Sequence, residues 1–301
     1  MASNEFHALQ ERLAAAPPPP ADETLVEQRA RIEANLSALP VAEGVTATAH
    51  DAGGVGVIEC VPDGGASTTI LYAHGGGFRL VSALGYRSYG SLLAAATGAT
   101  VLLVDYRLAP EHPFPAALDD MRVALRWLRA RTNAPDSIVV AGDSAGGNLA
   151  AAVVLGQLAD GEPLVNGTVC CSPWADLTNS GDSYGANGEF DKLFSHAQAT
   201  EATAMYVPAD VAPTEPLVSP VFGSWGGAPP MLIQASEHEV LRDDATRLAD
   251  VAGAAGVDVT LSIYPEMPHV WPVSYPAFPE AVAAVEEIAA FVRRVSAQAT
   301  A

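Results

Sequence analysis

Apolar positions follow two rhythms along the chain. Up to residue 44 they recur at helical spacing, which predicts a helix over Phe6 to Leu13 and a second over Asp22 to Leu36, with Leu25, Ile32 and Leu36 roughly on one face. The polyproline stretch Pro17 to Pro20 separates them, since consecutive prolines end a helix. From Val45 the texture changes to short apolar runs bounded by Gly, Pro and Asp. Val45 to Ala49 and Val55 to Val61 read as a leading antiparallel pair; Thr69 to Ala73, Thr100 to Val104, Ser137 to Ala141, Gly167 to Cys171, Met231 to Ala235 and Val257 to Tyr264 read as buried strands. Helices are expected over Tyr86 to Ala96, Ala116 to Arg131, Ala145 to Ala159, Leu241 to Ala255 and Glu280 to Ala297. This alternation is the βαβ rhythm of an α/β fold, a mostly parallel central sheet flanked by helices. The expected division is an N-terminal helical cap or arm at 1–44 and a main catalytic domain at 45–301. In such sheets ligands collect beyond the carboxyl ends of the strands, so the chemistry should follow strands directly.

Composition narrows the function. The 301 residues are about half apolar, and only 17% are charged, which suits a globular protein burying a wide sheet. A net charge of -20 and a single lysine, Lys192, oppose a nucleic-acid partner. Cys60, Cys170 and Cys171 read as small apolar fillers, and the sequence has no CxxC pair or Cys/His spacing for zinc. Glu5, His7, Glu11 and Arg12 interrupt Met1 to Ala16, so no export signal is read there. The most apolar helical run, Leu149 to Leu158, is too short to span a bilayer. A cytoplasmic enzyme is the expectation.

The strongest chemical signal is the strand Ser137 to Ala141 running into Gly142-Asp143-Ser144-Ala145-Gly146-Gly147 and then a helix. This is the strand–turn–helix setting of a G-x-S-x-G nucleophile elbow, in which glycines let the backbone pass close to a sharply turned serine. A serine hydroxyl needs a base. Of the histidines, His269 lies in Tyr264-Pro265-Glu266-Met267-Pro268-His269, after the last strand, where chain order places the base of a Ser–acid–His triad. The acid should follow the preceding strand, and Ser236-Glu237-His238-Glu239-Val240-Leu241-Arg242-Asp243-Asp244 offers several carboxylates. Glu239, at the strand-to-helix turn, is preferred, with Asp243 and Glu237 as alternatives. Donors for an oxyanion are expected from the successive glycines of His74-Gly75-Gly76-Gly77-Phe78 and from the Ala145 N–H. Phe78, Trp174, Tyr206, Trp225 and Trp271 either line a pocket or pack the core.

With these two glycine motifs, and with Asp105-Tyr106-Arg107-Leu108-Ala109-Pro110-Glu111-His112-Pro113-Phe114-Pro115-Ala116-Ala117, the chain resembles the hormone-sensitive-lipase-like bacterial esterases over about His74 to Trp271. The resemblance implies an α/β-hydrolase fold, a Ser144, His269, Glu239 triad with Gly76, Gly77 and Ala145 as oxyanion donors, and N-terminal helices capping an acyl pocket. It further implies no cofactor, short acyl chains and homodimers. The chain departs from the family pattern twice: Glu239 stands where aspartate is usual before Leu-Arg-Asp, and Val270-Trp271 replaces glycine and phenylalanine. The expected function is a serine carboxylesterase working through an acyl-enzyme on a small-molecule ester. A lactone hydrolase on the same triad, and a non-catalytic small-molecule receptor, remain the alternatives.

Overall fold

The computed structural model describes residues 2–15, 20, 22–131 and 135–299. Pro17, Pro18 and Pro19 of the polyproline stretch lie outside the described residues. The eight strands are β1 Val45–Asp51, β2 Gly56–Pro62, β3 Thr68–Ala73, β4 Thr100–Val104, β5 Ser137–Asp143, β6 Gly167–Cys171, β7 Met231–Ser236 and β8 Val259–Tyr264. The α-helices are α1 Asn4–Ala14, α2 Leu25–Ser37, α3 Arg87–Thr97, α4 Ala116–Ala130, α5 Ala145–Asp160, α6 Ser183–Ala186, α7 His196–Tyr206, α8 Arg242–Ala254 and α9 Pro279–Ala299.

All strands join one sheet in the order β1-β2-β4-β3-β5-β6-β7-β8. β2 is antiparallel to both β1 and β4, and the remaining pairs are parallel. Side chains alternate across a strand, so each central strand feeds two cores. Leu71, Leu102 and Val140 enter the core shared with α4, α5 and α8, whereas Tyr72, Leu103 and Val139 enter the one shared with α3 and α9. β5 and β6 are buried throughout, as strands covered on both faces must be.

β8 differs from the buried strand expected there. It begins at Val259 and pairs only with β7, so it is the sheet edge, with Leu261 and Ile263 exposed. The covering helices α8 and α9 reach only part of its surface. Helices α6 and α7 were not apparent from periodicity, because α6 is a single short turn and α7 buries only Ala199, Ala202 and Tyr206.

The N-terminal helices are tied down by polar contacts more than by apolar ones. In α1 only Phe6 is buried, against Phe278, while the Ser3 N–H and hydroxyl both donate to Glu280. α2 has no buried residue but carries a capping box, with the Thr24 hydroxyl accepting from the Glu27 N–H and the Glu27 carboxylate accepting from the Thr24 N–H. From α2, Arg29 reaches the carboxylate of Glu111 and the carbonyls of Arg79 and Ala109.

Candidate active site

The turn between β5 and α5 is tight for a physical reason. Ser144 adopts φ 54° and ψ -120°, a conformation unfavourable for a residue with a Cβ. It is tolerated because its neighbours lack side chains: a Cβ on Gly142 would lie 2.2 Å from the Gly146 carbonyl oxygen, and one on Gly146 would lie 2.0 Å from that of Ala73. The Ser144 N–H donates to the Cys171 carbonyl (2.9 Å), and the Ser144 carbonyl accepts from the Trp174 N–H (3.0 Å). The side chain therefore points out of the sheet at a fixed angle.

His269 stands in the loop after β8. Its Nε2 lies 3.0 Å from Ser144 Oγ, and its Nδ1 lies 2.7 Å from Oε2 of Glu239. A carboxylate only accepts, so Nδ1 carries the proton and the Nε2 lone pair faces the serine hydroxyl. Glu239 is fully buried, and its other oxygen accepts from the Ser236 N–H at 2.7 Å. Burial alone would lower the imidazole pKa, but the hydrogen bond and charge of Glu239, followed by the charges of Asp191 and Asp143, outweigh it and hold the pKa above its ordinary value. The loop is pinned as well. Val270 takes a left-handed φ of 52° and donates its N–H to Ser172 Oγ (3.1 Å), while the Ser236 hydroxyl donates to the Met267 carbonyl.

Across from the serine, Gly76 and Gly77 have φ of 110° and 61°, the left-handed region that favours glycine. A Cβ on Gly76 would lie 2.3 Å from the Leu80 carbonyl oxygen. Among the described residues neither N–H donates to an internal acceptor. The Ala145 N–H, at the first position of α5, has no acceptor within the helix and sits at its positive end. Gly76 and Gly77 border a cavity of about 280 Å³ that is also lined by Ser144, His269 and Arg79.

The other carboxylates considered lie elsewhere. Asp243 pairs with Arg242 and accepts from the Ser183 N–H, and Glu237 is exposed. Asp244 is buried and accepts from the Asp176 N–H. His74 is also no base for the serine: it stacks on Tyr106 at 4.2 Å, its Nδ1 donates to the Gly75 carbonyl, and burial pushes its pKa down to about 4. Phe78, Trp174, Tyr206, Trp225 and Trp271 are all core residues, essentially without exposure, and Phe78 stacks face to face on Tyr206 at 3.7 Å.

Several residues that the sequence did not single out hold the site. Phe194 lies over His269 with its ring centroid 5.6 Å away and nearly parallel. Asp191 accepts from the N–H groups of Leu193 and Phe194, and its second oxygen from that of Val240, each at 3.0 Å. Asn187 donates to the carbonyls of Glu237 and Glu239. The segment after β6 thus clamps the turn that carries Glu239. Next to the serine, Asp143 accepts from the hydroxyls of Tyr72 and Tyr86, both at 2.8 Å. Burial raises its pKa to about 6 against the lowering effect of those two bonds. Among the described residues no group of His, Cys, Asp and Glu could hold a metal ion, and no helix is long and apolar enough to cross a membrane.

The chain is similar to known proteins over most of its length. A family model described as alpha/beta hydrolase fold matches residues 70–273. An acetyl-hydrolase of Streptomyces hygroscopicus is 41% identical over 230 residues, which is 76% of this chain and 77% of the relative. An esterase of Acinetobacter venetianus is 36% identical over 226 residues, 75% of each chain. Among solved structures, a hormone-sensitive lipase from a metagenome library superposes with a TM-score of 0.90 at 38% identity, covering 98% of this chain and 99% of the other. The esterase EstE5 soaked with p-nitrophenyl butyrate gives 0.90 at 35% identity, covering 98% and 100%. An eight-stranded, mostly parallel sheet, a strained serine between β5 and α5, and a family model spanning both lead to one assignment: the chain belongs to the alpha/beta-hydrolase-fold family, among its bacterial hormone-sensitive-lipase-type esterases.

Proposed function

We propose that this protein is a serine carboxylesterase that hydrolyses short-chain esters through an acyl-enzyme, with Ser144 as nucleophile, His269 as base and Glu239 as the acid that orients it. The observation that carries the reading is the unbroken chain from Ser144 Oγ to His269 Nε2 (3.0 Å) and from Nδ1 to Glu239 (2.7 Å). Ser144 attacks the ester carbonyl while His269 takes its proton. The oxyanion that forms is held by the N–H groups of Gly76, Gly77 and Ala145, each such donor lowering the barrier by roughly 3 kcal/mol. His269 then protonates the leaving alkoxide, and water repeats the sequence on the acyl-enzyme. Similarity to an acetyl-hydrolase and to an esterase soaked with p-nitrophenyl butyrate supports short acyl groups.

Residues 1–44 act as a cap beside this site, a role supported by Gln28 of α2 bordering the serine cavity. We further infer a homodimer, which the bare edge of β8 with exposed Leu261 and Ile263 supports. A cytoplasmic setting agrees with three buried, unpaired cysteines. Ser144→Ala is expected to abolish turnover of p-nitrophenyl butyrate and labelling by a fluorophosphonate; full activity in that variant would end the proposal.

A further inference from the structure

A second cavity, of about 440 Å³, adjoins the serine cavity at His269. It shares Leu193, His269 and Val270 with the serine cavity as a common wall. Leu193 is 55% exposed, so part of that wall is a side chain standing in solvent rather than packed core. Of the two, only the smaller borders Ser144, Gly76 and Gly77. The smaller one, beside Ser144, is bordered by Gln28, Arg79, Asp143 and Gln198. The larger is lined by Phe6, Leu9 and Leu13 of α1 and by Phe190 and Phe278, with Lys192, His238 and Glu266 also on its wall. Its size and lining fall within the range of small-molecule sites.

The reaction itself distinguishes the two spaces, and this step rests on the Ser144–His269–Glu239 reading. When Ser144 Oγ bonds to the carbonyl carbon, the acyl group stays beside Ser144 and the oxyanion donors. The bond to the alcohol oxygen then breaks, and the proton taken from Ser144 passes from His269 Nε2 to that oxygen. The alcohol must therefore leave from the His269 side. The geometry points to the cavity under α1 as the alcohol subsite, and to substrates that join a short acyl group to a bulky, apolar alcohol. α1 is then part of the binding site, its apolar residues contacting the leaving group.

Isomeric esters test this directly, because octyl butyrate and butyl octanoate contain the same atoms and differ only in which side of the carbonyl is long. The wild-type protein should favour octyl butyrate in kcat/KM by at least about tenfold, in keeping with what apolar pockets achieve over one or more methylenes. Gln10→Trp, which fills the cavity from α1, and Leu13→Asp, which charges its rim, should each collapse that preference. A preference for butyl octanoate, or a preference for octyl butyrate untouched by both variants, overturns the assignment. Fluorophosphonate labelling of Ser144 in the same preparations reports separately on the triad: labelled protein without the ester preference refutes the subsite alone, and protein that cannot be labelled refutes the reading beneath it.

Discussion

Replacing Glu239 with glutamine changes almost no volume and isolates one proton. The carboxylate is fully buried, with one oxygen accepting from the Ser236 N–H and the other from His269 Nδ1. Glutamine has one accepting oxygen and one donating NH2. If the oxygen keeps the Ser236 N–H, the NH2 faces Nδ1, which must then give up its hydrogen and accept. The imidazole proton moves to Nε2, and the lone pair that should receive the Ser144 proton is gone. Flipping the amide does not help, since two donors would then meet at Ser236. The expected cost is on the order of 10⁴ in kcat, the size measured for the equivalent change in another serine triad, which corresponds to about 5.5 kcal/mol of barrier. KM should change little, because Glu239 does not border either cavity. Steady-state kinetics on p-nitrophenyl butyrate measures both parameters. Asp243→Asn is the control: Asp243 bonds to Arg242 and Ser183 and makes no bond to His269. If Asp243→Asn is crippled while Glu239→Gln retains kcat within tenfold of wild type, the assignment of the acid is wrong.

Three further outcomes are expected. The acidic limb of kcat/KM should have its midpoint above the ordinary histidine value of about 6.5, because Glu239, Asp191 and Asp143 hold the imidazolium and the base must be neutral to act. The same raised pKa stabilises the fold fully below the unfolded value, and that contribution is lost as pH rises through the folded value, so activity and this part of stability run in opposite directions; a midpoint below 6 in a pH–rate profile would refute the shift. Asp191→Asn removes one negative charge near His269 and turns a shared acceptor of three N–H groups partly into a donor; kcat should fall about tenfold as the Phe194 and Val240 backbones loosen, and the acidic limb should move to lower pH, whereas an unchanged profile would leave Asp191 with a role in stability alone. Gly146→Ala would set a Cβ 2.0 Å from the Ala73 carbonyl oxygen and 2.6 Å from that of His74; urea denaturation should show a loss of roughly 3 kcal/mol or more, and a near-neutral result would mean that the turn can relax.

Much of the fold was legible because the core strands obey one simple rule. β3, β4, β5, β6 and β7 are buried on both faces, so they read as unbroken apolar runs and their starts were placed to within one residue. β8 obeys a different rule. As an edge it needs one apolar face only, and its burial alternates irregularly, so the run Val257 to Tyr264 gave no warning that Leu261 and Ile263 would be exposed. The serine and histidine were legible for a related reason: each sits immediately after a strand, and the glycines around Ser144 are demanded by backbone contacts near 2 Å, which no other residue type survives.

The carboxylate that meets His269 was harder to read because its selection is made by distant parts of the chain. Four carboxylates lie within eight residues, and local sequence does not distinguish them. What separates Glu239 from Asp243 is that Asn187 and Asp191 bind the backbone at 237–240, while Ser183 diverts Asp243 into capping another segment. Those contacts come from residues about fifty positions earlier, in a stretch of Gly, Ser, Asn and Asp with no periodicity to mark it. The longer side chain at 239 belongs to the same arrangement: its extra methylene lets the carboxylate reach back to the Ser236 N–H at the end of β7 and still meet the imidazole. The glutamate at 239 is therefore matched to the depth at which this clamp holds the turn, and Glu239→Asp is expected to lower kcat on p-nitrophenyl butyrate, because the shorter side chain cannot make both bonds.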